Sequence, residues 1–363
     1  MKPLLSLLLI FSLSFSLSFA AESEEEKLKK MIGSMLIVGF KGSKINRNAK
    51  IIKLINRYNL GGVILFDTPK KDANVKNPKQ LKRLTSNLKR FSNHKILICI
   101  DEEGGRVSRL KSKNGFFQIP SAKKVGEKND ETYSQKIYAS LAKELSRYGI
   151  NCNFAPVVDL AINPENEVIV KQQRSFSKDP LIVAKEAEIF VKEMKKRKIL
   201  SVLKHFPGHG SSFEDTHKDF TDVTESWSEK ELIPYRILIN KNLAFAIMTA
   251  HIYNAHLDKN YPATLSYETV TYLLRKKLGF KGIVISDDME MGAIKKYYSL
   301  DKALILAINS GMDMLLFANR QKSKTDIKQI IDIIYKNVKK GKIGVEKIEK
   351  ANKRIKNILN QFL

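Results

Sequence analysis

From residue 35 onward, short apolar runs of strand length alternate with longer stretches in which apolar residues recur every three or four positions among polar ones. Eight such runs stand out, at 35–40, 61–66, 96–102, 153–160, 201–206, 244–250, 282–287 and 312–317. Helices are predicted near 47–58, 78–91, 129–148, 180–197, 228–242, 266–277, 300–310 and 325–339, with a terminal one at 345–361. Strands apolar on both faces and alternating with helices predict a parallel sheet, and eight of them predict closure into an α/β, (β/α)8 TIM-type barrel over residues 22–363 as a single domain. A doubly wound open sheet is the alternative. The barrel is preferred because the reactive residue types cluster just after the apolar runs, at the carboxyl rim where barrel enzymes assemble their sites.

Residues 1–20 follow another pattern: a basic start at Lys2, an apolar and Ser-rich run, then the small-residue ending Ser18-Phe19-Ala20. This reads as a signal peptide cleaved after Ala20 or Ala21, placing the mature protein in the periplasm or outside the cell. An uncleaved membrane anchor is the rival, but the run is short for a span and gives way at once to AESEEEKLKK. No Cys follows it, so a lipoprotein is not expected. The remaining length suits one α/β barrel with extra loops, and 43% hydrophobic residues suffice for a large core.

The net charge of +26 raises the question of nucleic acid. Lysines are spread over many predicted helices, and no RNP, helix-turn-helix or aromatic-interleaved signature accompanies them, so no nucleic-acid partner is expected. Solvated, lysine-coated helices are the plain reading; attraction to an anionic envelope polymer or membrane surface is the other. The two cysteines, Cys99 and Cys152, each lie in an apolar run and read first as small buried hydrophobes, with a disulfide between them as the alternative. No zinc-ligand spacing occurs.

The candidate chemistry follows the third, fourth, fifth and seventh runs. After the third comes DEEGGRVSRL, where paired glycines permit a tight turn beside acids and arginines. Carboxylate and guanidinium together suit the gripping of vicinal hydroxyls, with Asp101 and Arg109 the leading candidates. Glu102, Glu103 and Arg106 stand equally well as a salt-bridge network under the turn. After the fourth run, Arg174 precedes a helix for which Asp179 is the expected cap. The fifth leads into KHFPGHGSSFEDTH, where Pro and Gly make a loop and residues two apart project to one side. Asp215 can then fix the tautomer of His217, leaving the other ring nitrogen to pass a proton. At the end of the seventh run, Asp287 is held by rigid backbone and aimed into the barrel mouth, as a carboxylate nucleophile must be, while Asp288 points elsewhere and reads as a helix cap.

DEEGGRVSRL, APVVDL, RSF, KHFPGHG followed by DTH, and ISDDMEM, in this order and spacing, resemble the β-N-acetylhexosaminidase (NagZ-like) branch of glycoside hydrolase family 3. The resemblance covers nearly all of the chain after residue 21. It implies a retaining exo-acting enzyme that removes terminal β-linked N-acetylglucosamine, with peptidoglycan fragments as the expected source. Asp287 would be the nucleophile, and His217 supported by Asp215 the acid/base. Asp101, Arg109, Arg174, Lys204 and His205 would bind sugar hydroxyls. No cofactor and no metal are implied, and a monomer is expected. The sequence shows no second α/β domain after the barrel, which points to the histidine-loop branch. Three departures stand out: QRSF where the family often has a Gly shortly before RSF, EEGG for the commoner QEGG, and a bulky Phe213 beside Glu214 in the loop, which bears on the aglycone accepted.

Two rival functions remain. A histidine acid/base does not repel phosphate as a carboxylate would, so a glycoside phosphorylase uses the same set. A non-catalytic barrel that holds cell-wall polymer through its basic surface is the rival from another class.

Overall fold

Leu36–Gly39 (β1) carries four buried residues, and every other strand of the main sheet repeats this apolar character at its core. The computed structural model describes residues 22–68, 71–216, 218–319 and 325–363; the proposed signal peptide and His217 lie outside these. The remaining strands are β2 (Gly62–Leu65), β3 (Leu97–Ile100), the short hairpin β4 (Glu102–Gly104) and β5 (Val107–Ser108), β6 (Cys152–Asn153), β7 (Leu200–Phe206), β8 (Ala246–Thr249), β9 (Ile283–Asp288) and β10 (Met314–Phe317). The hairpin apart, they close into one parallel barrel in the order β1-β2-β3-β6-β7-β8-β9-β10, with β10 returning to β1. The expected (β/α)8 architecture is therefore the one found.

Helices α1 (Glu24–Ser34), α2 (Lys50–Tyr58), α3 (Pro78–Phe91), α4 (Ala122–Lys128), α5 (Glu131–Arg147), α6 (Pro180–Lys196), α7 (Ile233–Asn240), α8 (Gly292–Lys295), α9 (Leu300–Ser310), α10 (Ile327–Lys339) and α11 (Val345–Phe362) pack outside. Their apolar stripes explain the arrangement. In α2, Ile51, Ile52, Ile55 and Tyr58 are buried, and in α10 Ile327, Ile330, Ile331 and Ile334, each contributing about 1.5–3 kcal/mol of hydrophobic stabilisation. Among the described residues, no helix is long and apolar enough to cross a membrane.

Several boundaries differ from the sequence reading. Regular pairing in the fourth run shrinks to Cys152–Asn153; beyond it the chain stays beside β7 through irregular backbone bonds, from Val202 N to the Ala155 carbonyl at 3.0 Å and from Val158 N to the Lys204 carbonyl at 2.8 Å, with one isolated bridge, Val157 to Lys204. The helix expected at 228–242 begins as a 3-10 turn at Glu229–Leu232, and Glu268–Lys277 winds with the wider π spacing. Helices α1 and α4 and the β4–β5 hairpin carried no distinct apolar run and were not anticipated. Cys99 and Cys152 sit in register on β3 and β6, both buried and reduced.

Asp313, fully buried at the entry to β10, fixes the strand that carries Asp287. Its carboxylate accepts from the Val284 amide at 2.7 Å, from Arg354 Nε at 2.6 Å and from Arg275 Nη2 at 2.5 Å. Removing one member of such a buried set strands the others without compensation. Asp313→Ala is expected to lose about 3–5 kcal/mol of unfolding free energy in urea titrations; a loss below about 1 kcal/mol contradicts this role.

Candidate active site

A cavity of about 340 Å3 opens at the carboxyl ends of the strands. Ile64, Phe154, Met248 and Leu316, from four different barrel strands or their ends, form an apolar floor, and polar side chains from the rim loops surround it. Asp101, Arg109, Arg174, Lys204, His205, Asp215 and Asp287 all line this one cavity. Seven of the eight residues singled out from sequence thus converge; the eighth, His217, lies outside the described residues.

The charged wall is built around Lys204, near the end of β7. Its ammonium lies 3.0 Å from Asp101 Oδ1 and 2.7 Å from Glu103 Oε1. Arg174 donates to both oxygens of Glu103 in a fork, from Nε at 2.8 Å and Nη2 at 2.9 Å, and Arg109 donates to Asp101 at 3.1 Å. Burial alone would raise the Asp101 carboxyl, but Lys204 and Arg109 override it and hold the group well below the usual carboxylate range. Glu103 is lowered in the same way against its burial, by Arg174 and Lys204. The wall is therefore a fixed lattice of charges at neutral pH, with acceptors and donors side by side. That is the equipment for binding hydroxyl groups, which both donate and accept.

The alternatives left open for the turn now separate. Glu102 is structural: buried, it accepts from the Arg109 and Leu110 amides at 2.9 Å each, and burial pushes its carboxyl up to about 7. Glu103 faces the cavity and belongs to the charged wall. Arg106 is exposed and donates to the Lys171 carbonyl at 2.8 Å.

The histidine loop is held from below by Asp159, which sits in APVVDL and was not singled out from sequence. Its buried carboxylate accepts from the amides of His205 and His209 and from His205 Nδ1 at 2.7 Å. With Nδ1 donating, His205 Nε2 accepts from Arg174 Nη2 at 3.3 Å, and burial together with Arg174 and Lys204 keeps this imidazole neutral. His209 continues the chain of bonds. Ser212 Oγ donates to the His209 carbonyl, so His209 Nδ1 is the donor to Ser212, and Nε2 accepts from the Thr216 hydroxyl at 3.2 Å. Thr216 lies between Asp215 and His217 in sequence, and its own carbonyl accepts from the Ala293 amide at 3.2 Å. Two bonds therefore tie Thr216 to His209 near the start of the loop and to Ala293 of α8.

Two glycines let this loop pass. A Cβ at Gly210 would stand 1.7 Å from the Leu160 carbonyl oxygen, and Gly208 has φ +124° with Glu231 directly against it. Glu231, also missed from sequence because it lies in an ordinary helix-start segment, accepts from the Gly210 amide at 3.0 Å and from Ser211 Oγ at 2.6 Å.

On the opposite wall, Asp287 stands one residue before the end of β9 and accepts from the Asp288 amide at 2.7 Å, while its charge acts on both His205 and His209. Asp288 departs from the reading as a cap. Its Oδ1 accepts from the Glu290 and Ala318 amides at 3.1 Å each, and α8 begins later, at Gly292, without a side-chain cap. Asp288 also borders the cavity instead of pointing away, and burial pushes its carboxyl up to about 7. Asp179 does cap α6, accepting from the Leu181 amide at 2.8 Å. Phe213 stands 60% exposed at the loop tip, with Glu214 exposed beside it. Among the described residues, no three His, Cys, Asp or Glu side chains are grouped to hold a metal ion.

The family profile "Glycosyl hydrolase family 3 N terminal domain" matches residues 25–358. The chain belongs to glycoside hydrolase family 3. It is 35% identical over 301 residues to the Beta-hexosaminidase A of Pseudoalteromonas piscicida, across 77% of this chain and 49% of that one. To the Beta-hexosaminidase of Nitrosomonas eutropha it is 32% identical over 281 residues, covering 74% of this chain and 76% of the relative. The solved glycoside hydrolase family 3 β-N-acetylglucosaminidase of Paenibacillus sp. str. FPU-7 aligns with a TM-score of 0.84 at 31% identity, over 92% of this chain and 62% of that chain. The family 3 chain thus spans about half the length of the Pseudoalteromonas relative.

Burial pushes the Glu231 carboxyl up to about 8, above its value in an unfolded chain near 4.5. A raised pKa of this kind stabilises the fold fully below the unfolded value and is lost as pH rises through about 8. Glu231→Gln removes the titration. The variant's stability relative to the parent is expected to improve between pH 5 and pH 9 in denaturant titrations; a difference that does not change with pH contradicts the buried protonated acid.

Proposed function

We propose that this family 3 protein is a retaining exo-β-N-acetylglucosaminidase, acting outside the cytoplasm on peptidoglycan fragments. The observation that carries the reading is the convergence, at one cavity, of a strand-end carboxylate, the Asp215 loop and a wall of paired acids and bases. Relatives named β-hexosaminidase and a neighbour named β-N-acetylglucosaminidase support the sugar. The signal-peptide pattern of residues 1–20 supports the compartment, and the peptidoglycan source follows from that compartment.

In the proposed mechanism the terminal sugar sits on the apolar floor, with its hydroxyls against Asp101, Arg109, Arg174 and Lys204. An Asp287 oxygen attacks the anomeric carbon as the bond to the leaving oxygen breaks, giving a covalent glycosyl-enzyme. His217, oriented by Asp215, delivers a proton to that leaving oxygen. The same imidazole then takes a proton from water, which attacks the anomeric carbon and releases the sugar with its β configuration retained. His205 and His209 are not the acid/base here, since each is buried, neutral and bonded through both ring nitrogens.

The division of labour is testable with aryl β-N-acetylglucosaminides of graded leaving-group acidity. Asp287→Ala is expected to abolish turnover on all of them. His217→Ala is expected to lose about 100-fold or more on poor leaving groups and much less on good ones, which need little protonation. Equal losses across the series contradict the role of His217. Absence of any turnover by the parent protein contradicts the enzyme reading, and acceleration by phosphate with formation of the sugar 1-phosphate points to phosphorolysis instead.

A further inference from the structure

The positive charge of this protein is not evenly spread once the chain is folded. Residues 41–95 hold fifteen Lys or Arg and two acids, Asp67 and Asp72, which is half of the net +26. By contrast residues 201–300, whose loops border the other side of the cavity, are electrically balanced. Segment 41–95 builds one flank. Asn56 Nδ2 on α2 donates to the Phe91 carbonyl of α3 at 2.9 Å, and the Asn93 amide donates to Asn56 Oδ1 at 2.8 Å, which joins the ends of the two helices, while Gln80 and Asn87 of α3 donate to the Ser43 and Ile45 carbonyls of the loop before α2.

Every described Lys and Arg of this segment is exposed. Among the described residues, the one ion pair these cations make is Lys41 with Asp72, at 3.6 Å. The other acid, Asp67, is buried and turned inward, bound to Lys111 at 2.6 Å and lying 3.9 Å from Arg109 of the cavity. Helix α3 itself contains no acid; its Lys79 is followed one turn on by Lys82 and Arg83, and these about two turns on by Lys89 and Arg90. Such a one-sign array repels itself, and the i,i+4 partners that would relieve it are missing. A groove of about 380 Å3 runs between residues 43–45 and α3, with Lys44, Lys79 and Arg83 on its walls.

We propose that the α2–α3 flank is a docking surface for an extended anionic glycan, a polysaccharide bearing regularly spaced carboxylates or phosphates. Charge complementarity sets the sign, and the length sets the shape: α3, at 14 residues, presents its cations along about 21 Å. Among the described residues of 41–95, no large apolar side chain is exposed to enter a lipid acyl layer. The flank climbs to the rim loops after β1 and β2, where Asp67 meets Arg109, so a polymer lying along it ends at the cavity mouth. The surface would then hold the polymer from which the exo-acting site trims sugars. Only this last link rests on the glycosidase reading.

The test measures binding of the full chain to polygalacturonate, to duplex DNA and to vesicles containing phosphatidylglycerol, at low and high salt. Polygalacturonate is expected to bind most tightly, with affinity that falls as salt rises. The variant Lys53→Glu/Lys79→Glu/Arg83→Glu is expected to bind it about 100-fold more weakly. The control Lys350→Glu/Lys353→Glu/Lys356→Glu on α11 should change by less than about threefold, since α11 packs against α1 and α9 and not against α3. Both variants should keep parental turnover of a small neutral aryl glycoside, which reports folding. If the triple reversal does not fold, Lys79→Gln and Arg83→Gln singly should each lower the salt slope by about one unit. Equal losses in the two triple variants, no binding of polygalacturonate, or tighter binding of DNA or vesicles overturns the proposal. Loss of aryl turnover by the parent would sink the glycosidase reading while leaving the binding result intact.

Discussion

The buried ammonium of Lys204 is the interaction on which the site depends. It sits between Asp101 and Glu103, and Arg174 forks onto the second of these. Four charges of alternating sign held out of water are costly unless each is matched, and here each has a partner within 3.1 Å. The consequence is rigidity. The side chains belong to or follow three neighbouring barrel strands, β3, β6 and β7, so the lattice also locks the rim loops that carry them. A hydroxyl-bearing ligand that enters the cavity would meet donors and acceptors already in place, with little binding energy lost to ordering them.

A second set of bonds ties the loop to this lattice. Asp159 gathers the His205 and His209 amides and the His205 ring, His205 accepts from Arg174, and His209 reaches the hydroxyl of Thr216. The chain of contacts runs unbroken from Arg174 at the cavity wall to the residue beside Asp215. On the far wall Asp313 fixes β9 through the Val284 amide, which sets where Asp287 stands. Position at the site is thus inherited from buried polar groups one layer below it, and the neutral histidines serve geometry instead of titration.

What could be read in the sequence was what depends on periodicity and on strand ends. The eight runs marked the barrel because parallel strands are apolar on both faces, and Asp101 and Asp287 were visible because polar residues at the end of such a run have few places to point except the mouth, whereas Lys204 was assigned only through the family resemblance. Asp159 met the same criterion and was passed over, since a lone acid before an Asn-Pro turn looks like a turn residue. Glu231 was invisible: its burial comes from a loop that folds back over it twenty residues earlier in the chain. Asp288 was misread because its partners, the Glu290 and Ala318 amides, form a turn and a strand-end contact that no local pattern announces. The charge of segment 41–95 was present in the composition, but its gathering onto one flank required the bonds that join α3 to the end of α2 and to the loop before it.

The central claim is that Asp287 forms the covalent bond to the sugar. A slow fluorinated aryl β-N-acetylglucosaminide should trap that intermediate, and mass spectrometry of the digested protein should place one sugar on the peptide containing Asp287, at the Asp287 carboxylate. A label on Asp288, Glu103 or Asp215, or turnover with no covalent adduct under conditions where the reagent inactivates the enzyme, would contradict the account.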